Sequence, residues 1–463
     1  MEGKIVAGRG TKDMTKGSPL KLILGFAVPL LCGMLFQQFY SMVDTIIVGK
    51  HIGVDALAGV GSTGSINFMI IGFCNGVCSG FAIPVAQAFG AGDTKAMRRY
   101  VTNSAWMAGA FAIVMTVIIC VLCRPILHWM NTPEDIFELA YDYIFVIFLG
   151  IPATYLYNLL AGVIRSLGDS RTPVIFLILA ACLNIVFDII SIDVLHMGVA
   201  GAGWATVLSQ LISGFCCLIF MIKKLEVLHP QSGDWTPDGR IMKKLCGMGI
   251  PMGLQYSITA IGSVILQTAV NTLGSSAVAA MTAAGRISGF SCCPFDALGS
   301  TMATYAGQNM GAKRMDRVRK GLVQTTLLGC VYAIAAFLVL SIWGTQVALL
   351  FLDADEIEIL GQVKQFLIIN SAFYIPLCLV NTIRFTIQGL GYSVLAILAG
   401  VCEMIGRSAV AFILIPLFGF TGACFASPAA WILADIFLIT GYLYCERKLK
   451  ELFSGGRITK ECS

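Results

Sequence analysis

Asp44 is the one charged side chain between Lys21 and Gly49, in a stretch otherwise dominated by Leu, Ile, Phe, Val and Gly. Gln37 and Tyr40 precede it at helical spacing, so an amide, a phenol and a carboxylate share one helix face. In "CLNIVFDII" Asn184 and Asp188 stand one turn apart on a second face, while Asn158 and Thr206 each interrupt a further apolar run. A charged Asp at the bilayer centre costs about 2.5 to 3.5 kcal/mol even on a lenient insertion scale. Two such acids therefore need partners or a wet cavity. Two carboxylates among amide, phenol and hydroxyl groups can hold one shared proton, because neighbouring negative charges in low dielectric do not both form easily. The same oxygens suit Na⁺, and the residues leave H⁺ and Na⁺ both open. The competing reading is that each Asp only bonds neighbouring helices.

These residues need a membrane scaffold. Of 463 residues, 57% are hydrophobic and only 12% charged, which excludes a water-soluble globule. Apolar runs long enough to cross the hydrocarbon as helices begin near Leu20, Leu57, Val101, Tyr141, Pro173, Val199, Met242, Val278, Leu322, Gln365, Val394 and Gly422. None alternates as a barrel strand would. The expected class is an all-α integral membrane protein of twelve transmembrane helices. The polar start, residues 1–18, lacks the apolar core of a signal peptide and is expected in the cytoplasm. Lys and Arg concentrate on that side, for example at Arg98, Arg99, Arg165, Arg171, Lys223 and Lys224, whereas Glu134, Asp135, Asp353, Asp355 and Glu356 mark the other. Both termini are thus placed in the cytoplasm, and the net charge of +5 reads as a topology signal rather than a nucleic-acid footprint.

The chain repeats itself. "VAQAFGAGDTKAMRRYV" from Val85 matches "AGQNMGAKRMDRVRKGL" from Ala306 at an offset of 221, and "SLGDS" from Ser166 matches "GLGYS" from Gly389 at 223. Six spans return a chain to its starting side, so the two copies share one orientation and form two pseudo-symmetric six-helix bundles with a central cleft. The expected organisation is a tail at 1–18, an N-lobe at 19–224, a cytoplasmic linker at 225–241, a C-lobe at 242–446 and a basic cytoplasmic tail at 447–463. Symmetry fails at the acids: Asp44 falls on Ile265 or Leu266, and Asp188 on Ala409 or Ala411. A carboxylate present in one lobe alone favours a task over a scaffold.

Pro29 removes a backbone hydrogen bond inside the first span and should bend the helix bearing Asp44, passively or as part of a switch. Asp296, aligned with Asn75, reads equally as site or structural bond. Glu403 and Arg407, one turn apart, form a favourable helix pair and are kept as secondary cleft candidates. Most of the 17 Cys lie inside apolar runs and read as small hydrophobes, and no cluster resembles a structural metal site.

Taken together, "PLLCGMLFQQFYSMVDTIIVGKHIGVDALAGVG", "AQAFGAGD", "IRSLGDSRTP", "LNIVFD", "GVAGAGWATVLSQ" and "YAGQNMGAKR" resemble the multidrug and toxic compound extrusion (MATE) transporters over essentially the whole chain. The resemblance implies export of cationic, amphipathic compounds in exchange for H⁺ or Na⁺. It also implies a polar coupling site at Asp44, Gln37, Tyr40, Asn158, Asn184, Asp188 and Thr206, with Pro29 as the bending proline. Ala161 departs from the pattern, since such members carry an Asn there.

The expectation is therefore secondary active multidrug efflux across the cytoplasmic membrane by a monomer, with small cationic substrates, the lipid bilayer as its only other partner, no nucleic acid and no cofactor beyond the coupling ion. A flippase for lipid-linked precursors, from a related fold, is the alternative; it would need cationic residues along the cleft. A membrane-embedded enzyme would need a nucleophile and base within the spans, and no intramembrane His offers one. A passive channel would differ by failing to transport against a gradient. "GAKRMDRVRKG" lacks Walker spacing, so ATP does not supply the energy.

Overall fold

A computed structural model describes residues 11–130, 132–349 and 356–453. Asp353, Asp355 and the outer parts of both tails lie outside the described residues. The helices run in the order α1 (Pro19–His51), α2 (Val54–Ser62), α3 (Gly64–Ala91), α4 (Thr94–Trp129), α5 (Glu134–Leu149), α6 (Ile151–Ser166), α7 (Arg171–Ile189), α8 (Gly198–Lys224), α9 (Gly239–Asn271), α10 (Ser275–Gly311), α11 (Met315–Ala348), α12 (Ile357–Ala372), α13 (Tyr374–Gly389), α14 (Ser393–Ala409), α15 (Ile415–Phe418), α16 (Phe420–Cys424) and α17 (Ala426–Phe453). Among the described residues no strand occurs.

Among the described residues nine segments are long and apolar enough to span a membrane, and the bent pairs α5–α6 (46°) and α12–α13 (51°) bring the number to eleven. Pro152 and Pro376 sit in the first turns of α6 and α13, where a residue without an N–H allows the break. The twelfth rod is α10, 37 residues long but diluted by Ala, Ser and Gly and carrying Arg286 and Asp296. The expected twelve-span, all-helical class is thus the one observed.

The duplication is visible in the backbone. Gly53 (φ 119°) and Gly274 (φ 99°) make the corresponding tight turns after α1 and α9, in a region that favours a residue without a Cβ. One π-helical turn, Ile190–Val194, follows α7 and another, Val410–Leu414, follows α14. Pro29 has a counterpart in Pro251, each inside a helix of 33 residues.

Two compact units divide inside helices. The first takes Val28–Ser257 with the segment up to Asp13; the second takes Met14–Ala27 with the chain from Ile258 onward. In the first unit, the opening half of α9 packs on α3 through small residues. A Cβ on Gly76 would lie 2.5 Å from the Met252 carbonyl oxygen, and one on Gly80 would lie 2.5 Å from Gly249 Cα. Gly76 and Gly80, and Gly249 and Gly253, are each one turn apart, so two G-x-x-x-G faces meet with backbones in contact. In the second unit, the "YAGQNMGAKR" motif holds the approach to α1. Met14 N donates to Gln308 Oε1 (2.8 Å), and Arg317 donates to Gly17 O (2.9 Å) and to Asn309 Oδ1 (3.0 Å).

Candidate functional site

Within the first unit, α1, α7 and α8 bring five of the sequence-selected residues together. Asn184 is the centre. With its Nδ2 turned toward the acids it donates to Asp188 Oδ2 (2.9 Å) and to Tyr40 OH (3.1 Å), while its Oδ1 accepts from Thr206 N (3.0 Å) and Thr206 Oγ1 (3.2 Å). The opposite orientation would make only the 3.2 Å contact to Thr206 Oγ1 and set an amide oxygen against a carboxylate, so the first satisfies the network. Thr206 Oγ1 also lies 3.1 Å from Ala202 O, its single proton serving one acceptor at a time.

Asp188 and Asn184 are 0% and 1% exposed, and Asp44 is half-buried. The two carboxyl groups are within hydrogen-bonding reach of each other. Asp44 Oδ1 and Asp188 Oδ1 are nevertheless buried with no donor among the described residues. The α7 helix leaves its α form immediately after Asp188, at the π-helical turn, a deformation often found where side chains must be re-aimed. Within that turn Asp193 Oδ1 lies 2.9 Å from His51 Nδ1, tying the end of α1 to the π-helical turn.

Two further candidates line one chamber. Gln37 and Asn158 share its mixed polar and apolar walls; Asn158 Nδ2 donates to Thr154 O, and Thr154 Oγ1 donates to Gln210 Oε1, both at 2.9 Å. Ala161 is fully buried in an apolar cluster with Val85, Leu160 and Ile164. Two residues were missed. Tyr143 of α5 is buried within electrostatic range of both acids, and Gln210 of α8 closes the Thr154 bond; neither stands at a spacing that marks it among the surrounding apolar and aromatic residues.

The second unit handles its acids differently. Arg384 Nη2 donates to Glu403 Oε1 at 2.5 Å, and Arg407 Nη2 lies 3.8 Å from Glu403 Oε2. The expected Glu403–Arg407 contact is present, but Glu403 has a closer partner in α13. Asp296 accepts from Asn381 Nδ2 at 3.3 Å. In the repeat register, Arg384 stands where the first half has Ala161, Arg407 where it has Asn184, and Asn381 where it has Asn158. The second half sets two guanidinium groups beside its buried Glu403, while its buried Asp435 keeps one oxygen without a donor among the described residues; the first half leaves two acids facing each other.

A duplicated twelve-span helical chain with an unpaired acidic couple inside one half defines a membrane transporter fold. The MatE family pattern matches twice, over residues 29–190 and 251–413, and the chain belongs to that family. It is 30% identical over 308 residues to the probable multidrug resistance protein YpnP of Bacillus subtilis (strain 168), covering 66% of this chain and 68% of that one. It is 27% identical over 358 residues to the probable multidrug resistance protein YoeA of the same organism, covering 75% and 76%. A crystal structure of a MATE protein in complex with MaL6 superposes with a TM-score of 0.87 at 22% identity, over 96% of this chain and 99% of that one.

Proposed function

We propose that the protein exports cationic, amphipathic organic compounds by antiport, with Asp44 and Asp188 as the shared seat of the organic cation and of H⁺ or Na⁺. The observation that carries this reading is the pair of buried carboxylate oxygens, in reach of each other and without a donor among the described residues. Two like charges so placed call for a cation between them. No arginine or lysine is bonded to them among the described residues, so the cation has to be an exchangeable one. Asn184 and Thr206 hold Asp188 in place, and Tyr40 joins the network to α1.

The cycle begins with both acids ionised and an organic cation held against them. After the site opens to the far side of the membrane, H⁺ or Na⁺ takes the carboxylates and the organic cation leaves. Only the loaded forms reorient, which couples the two fluxes. The distribution of Lys and Arg supports a cytoplasmic position for residues 1–18 and 447–463. The relatives' names, which speak of multidrug resistance, support the substrate class.

The test is transport of a fluorescent organic cation in proteoliposomes, driven separately by a pH gradient and a Na⁺ gradient. One gradient should drive accumulation, and Asp44→Asn and Asp188→Asn should each abolish it while the protein stays monodisperse. Full gradient-driven transport in both variants would overturn the reading.

A further inference from the structure

The start of α4 and the start of α11 are copies of each other, and they are covered differently. In the repeat register Arg98, Arg99, Thr102 and Asn103 stand where the second half has Arg319, Lys320, Val323 and Gln324. In the first unit the segment before α9 lies across these positions. Asp234 Oδ2 accepts from Arg98 Nε (2.8 Å), Asp238 Oδ2 accepts from Arg99 Nη2 (2.7 Å), Asp234 O accepts from Thr102 Oγ1 (2.6 Å), and Asp238 N donates to Asn103 Oδ1 (2.9 Å). Two carboxylates thus cover two cations, and Thr102 is left 2% exposed.

Among the described residues the matching face of the second unit has no such cover. Val323 is 52% exposed, Gln324 Oε1 has no donor, and Arg319 and Lys320 are exposed and make no ion pair. These four residues line a chamber of about 580 Å³ between the start of α11 and the end of α17, wholly in the second unit. Its two acids are already paired, Asp316 with Arg314 Nε (3.2 Å) and Glu446 with Lys450 Nζ (2.6 Å). The uncompensated charge is therefore the pair of cations, and it calls for an anion. The polarity of α11 says which kind. Past Lys320 its outward face turns apolar: Val323, Leu327, Val331, Ile334 and Leu338 follow at helical spacing, and all are exposed. A change from charged to apolar within one turn is the polarity step of a bilayer surface. An anion seated on Arg319 and Lys320 has hydrocarbon directly beside it, which suits a headgroup carrying acyl chains. The chain after Phe453, "SGGRITKECS", offers Glu461 as its one side-chain carboxylate beside Arg457 and Lys460, so its charge does not replace that of Asp234 and Asp238.

We propose that this chamber binds an anionic phospholipid. Its phosphate oxygens take on Arg319 and Lys320 the part that the Asp234 and Asp238 carboxylates play on Arg98 and Arg99, and its acyl chains lie along the exposed stripe of α11. In the first half a stretch of the chain itself ties down the start of α4; in the second half a lipid does the same for α11 and joins it to the end of α17. The site is separate from the acid pair and does not depend on the coupling ion.

The test uses the full-length protein in detergent, with phosphatidylglycerol or phosphatidylcholine of the same acyl chains added and the retained lipid read by native mass spectrometry. Wild type should retain phosphatidylglycerol several-fold better than phosphatidylcholine. Arg319→Gln/Lys320→Gln should lose most of that preference, whereas Lys223→Gln/Lys224→Gln, which removes the same charge from the exposed end of α8, should keep it. A photoactivatable phosphatidylglycerol should crosslink to α11 or the last turns of α17, and several-fold less in Arg319→Gln/Lys320→Gln. Equal retention by the two double variants, or crosslinks that miss both helices, overturns the site. Glycerol 3-phosphate that displaces phosphatidylglycerol at equal concentration shows a soluble phosphate to be the ligand and overturns the lipid. Retention that begins only when residues 454–463 are removed shows that the tail holds the chamber, and overturns it as well.

Discussion

Arg384 Nη2 of α13 lies 2.5 Å from Glu403 Oε1 of α14, while Arg407, one turn from Glu403 on the same helix, keeps its Nη2 3.8 Å from the other oxygen. The contact between helices is closer than the contact along one helix. All three side chains are nearly buried, so the carboxylate is the counterion of two guanidinium groups.

Removing Glu403 should therefore cost more than removing either arginine. Breaking a buried ion pair by deleting one partner costs about 3 to 5 kcal/mol, because the other charge is left uncompensated. Glu403→Gln strands both guanidinium groups, and Arg384→Gln strands one acid that still has Arg407 nearby. Thermal unfolding in detergent should rank the losses Glu403→Gln, Arg384→Gln, then Arg407→Gln. The Arg384→Gln/Glu403→Gln double variant should lose less than the sum of its singles.

At Asn184 the expected effect is on transport more than on folding. Asn184→Ala removes the donor to Asp188 and to Tyr40 together, whereas Tyr40→Phe removes one hydroxyl from the network. A buried group left unsatisfied costs about 1 to 3 kcal/mol. Gradient-driven uptake of the fluorescent cation should fall strongly in Asn184→Ala and more mildly in Tyr40→Phe. Equal activity of Asn184→Ala and wild type would remove Asn184 from the coupling network.

The chain announces its spans because hydrocarbon tolerates few charges, and the acids stand out for the same reason. Helical spacing correctly set Asn184 beside Asp188. It could not join Glu403 to Arg384, since that contact is made between α13 and α14. The compact units were hidden for a related reason. Polar loops mark where a chain leaves the membrane, whereas the division inside α9 depends on glycines that let two backbones touch.

The glycine crossing gives a sharp stability contrast. Gly80→Ala puts a methyl group 2.5 Å from Gly249 Cα, and neither backbone can yield without moving its helix. At Gly61 on α2 an added Cβ meets nothing within 4 Å. Gly61→Ala should be neutral or gain up to about 1 kcal/mol from helix propensity, and Gly80→Ala should lower the midpoint of thermal unfolding clearly. Equal midpoints would show that α3 and α9 are not in close contact there.

The segment leading into α9 is clamped to the start of α4 by ion pairs whose acids lie outside the spans, and its response to acid follows from their charge. Asp234 Oδ2 accepts from Gln231 N and from Arg98 Nε, both at 2.8 Å, and Asp234 O accepts from Thr102 Oγ1 at 2.6 Å. Asp238 accepts from Arg240 N at 2.8 Å and from Arg99 Nη2 at 2.7 Å. Backbone N–H donors first, and the arginines after them, hold both carboxyls below the ordinary carboxylate range. A carboxyl lowered in this way contributes its full stabilisation above the unfolded value of about 3.9 and loses it as the pH falls through the lower folded value. Hydrogen exchange across residues 226–238 should therefore keep its protection at neutral and mildly acid pH, once corrected for intrinsic rates, and lose it only below about pH 4. Asp234→Asn should loosen the segment at neutral pH, since it weakens the bonds to Arg98 and Gln231 whatever the proton concentration. Protection already lost near pH 6 in the wild type would show that these carboxylates do not hold the segment.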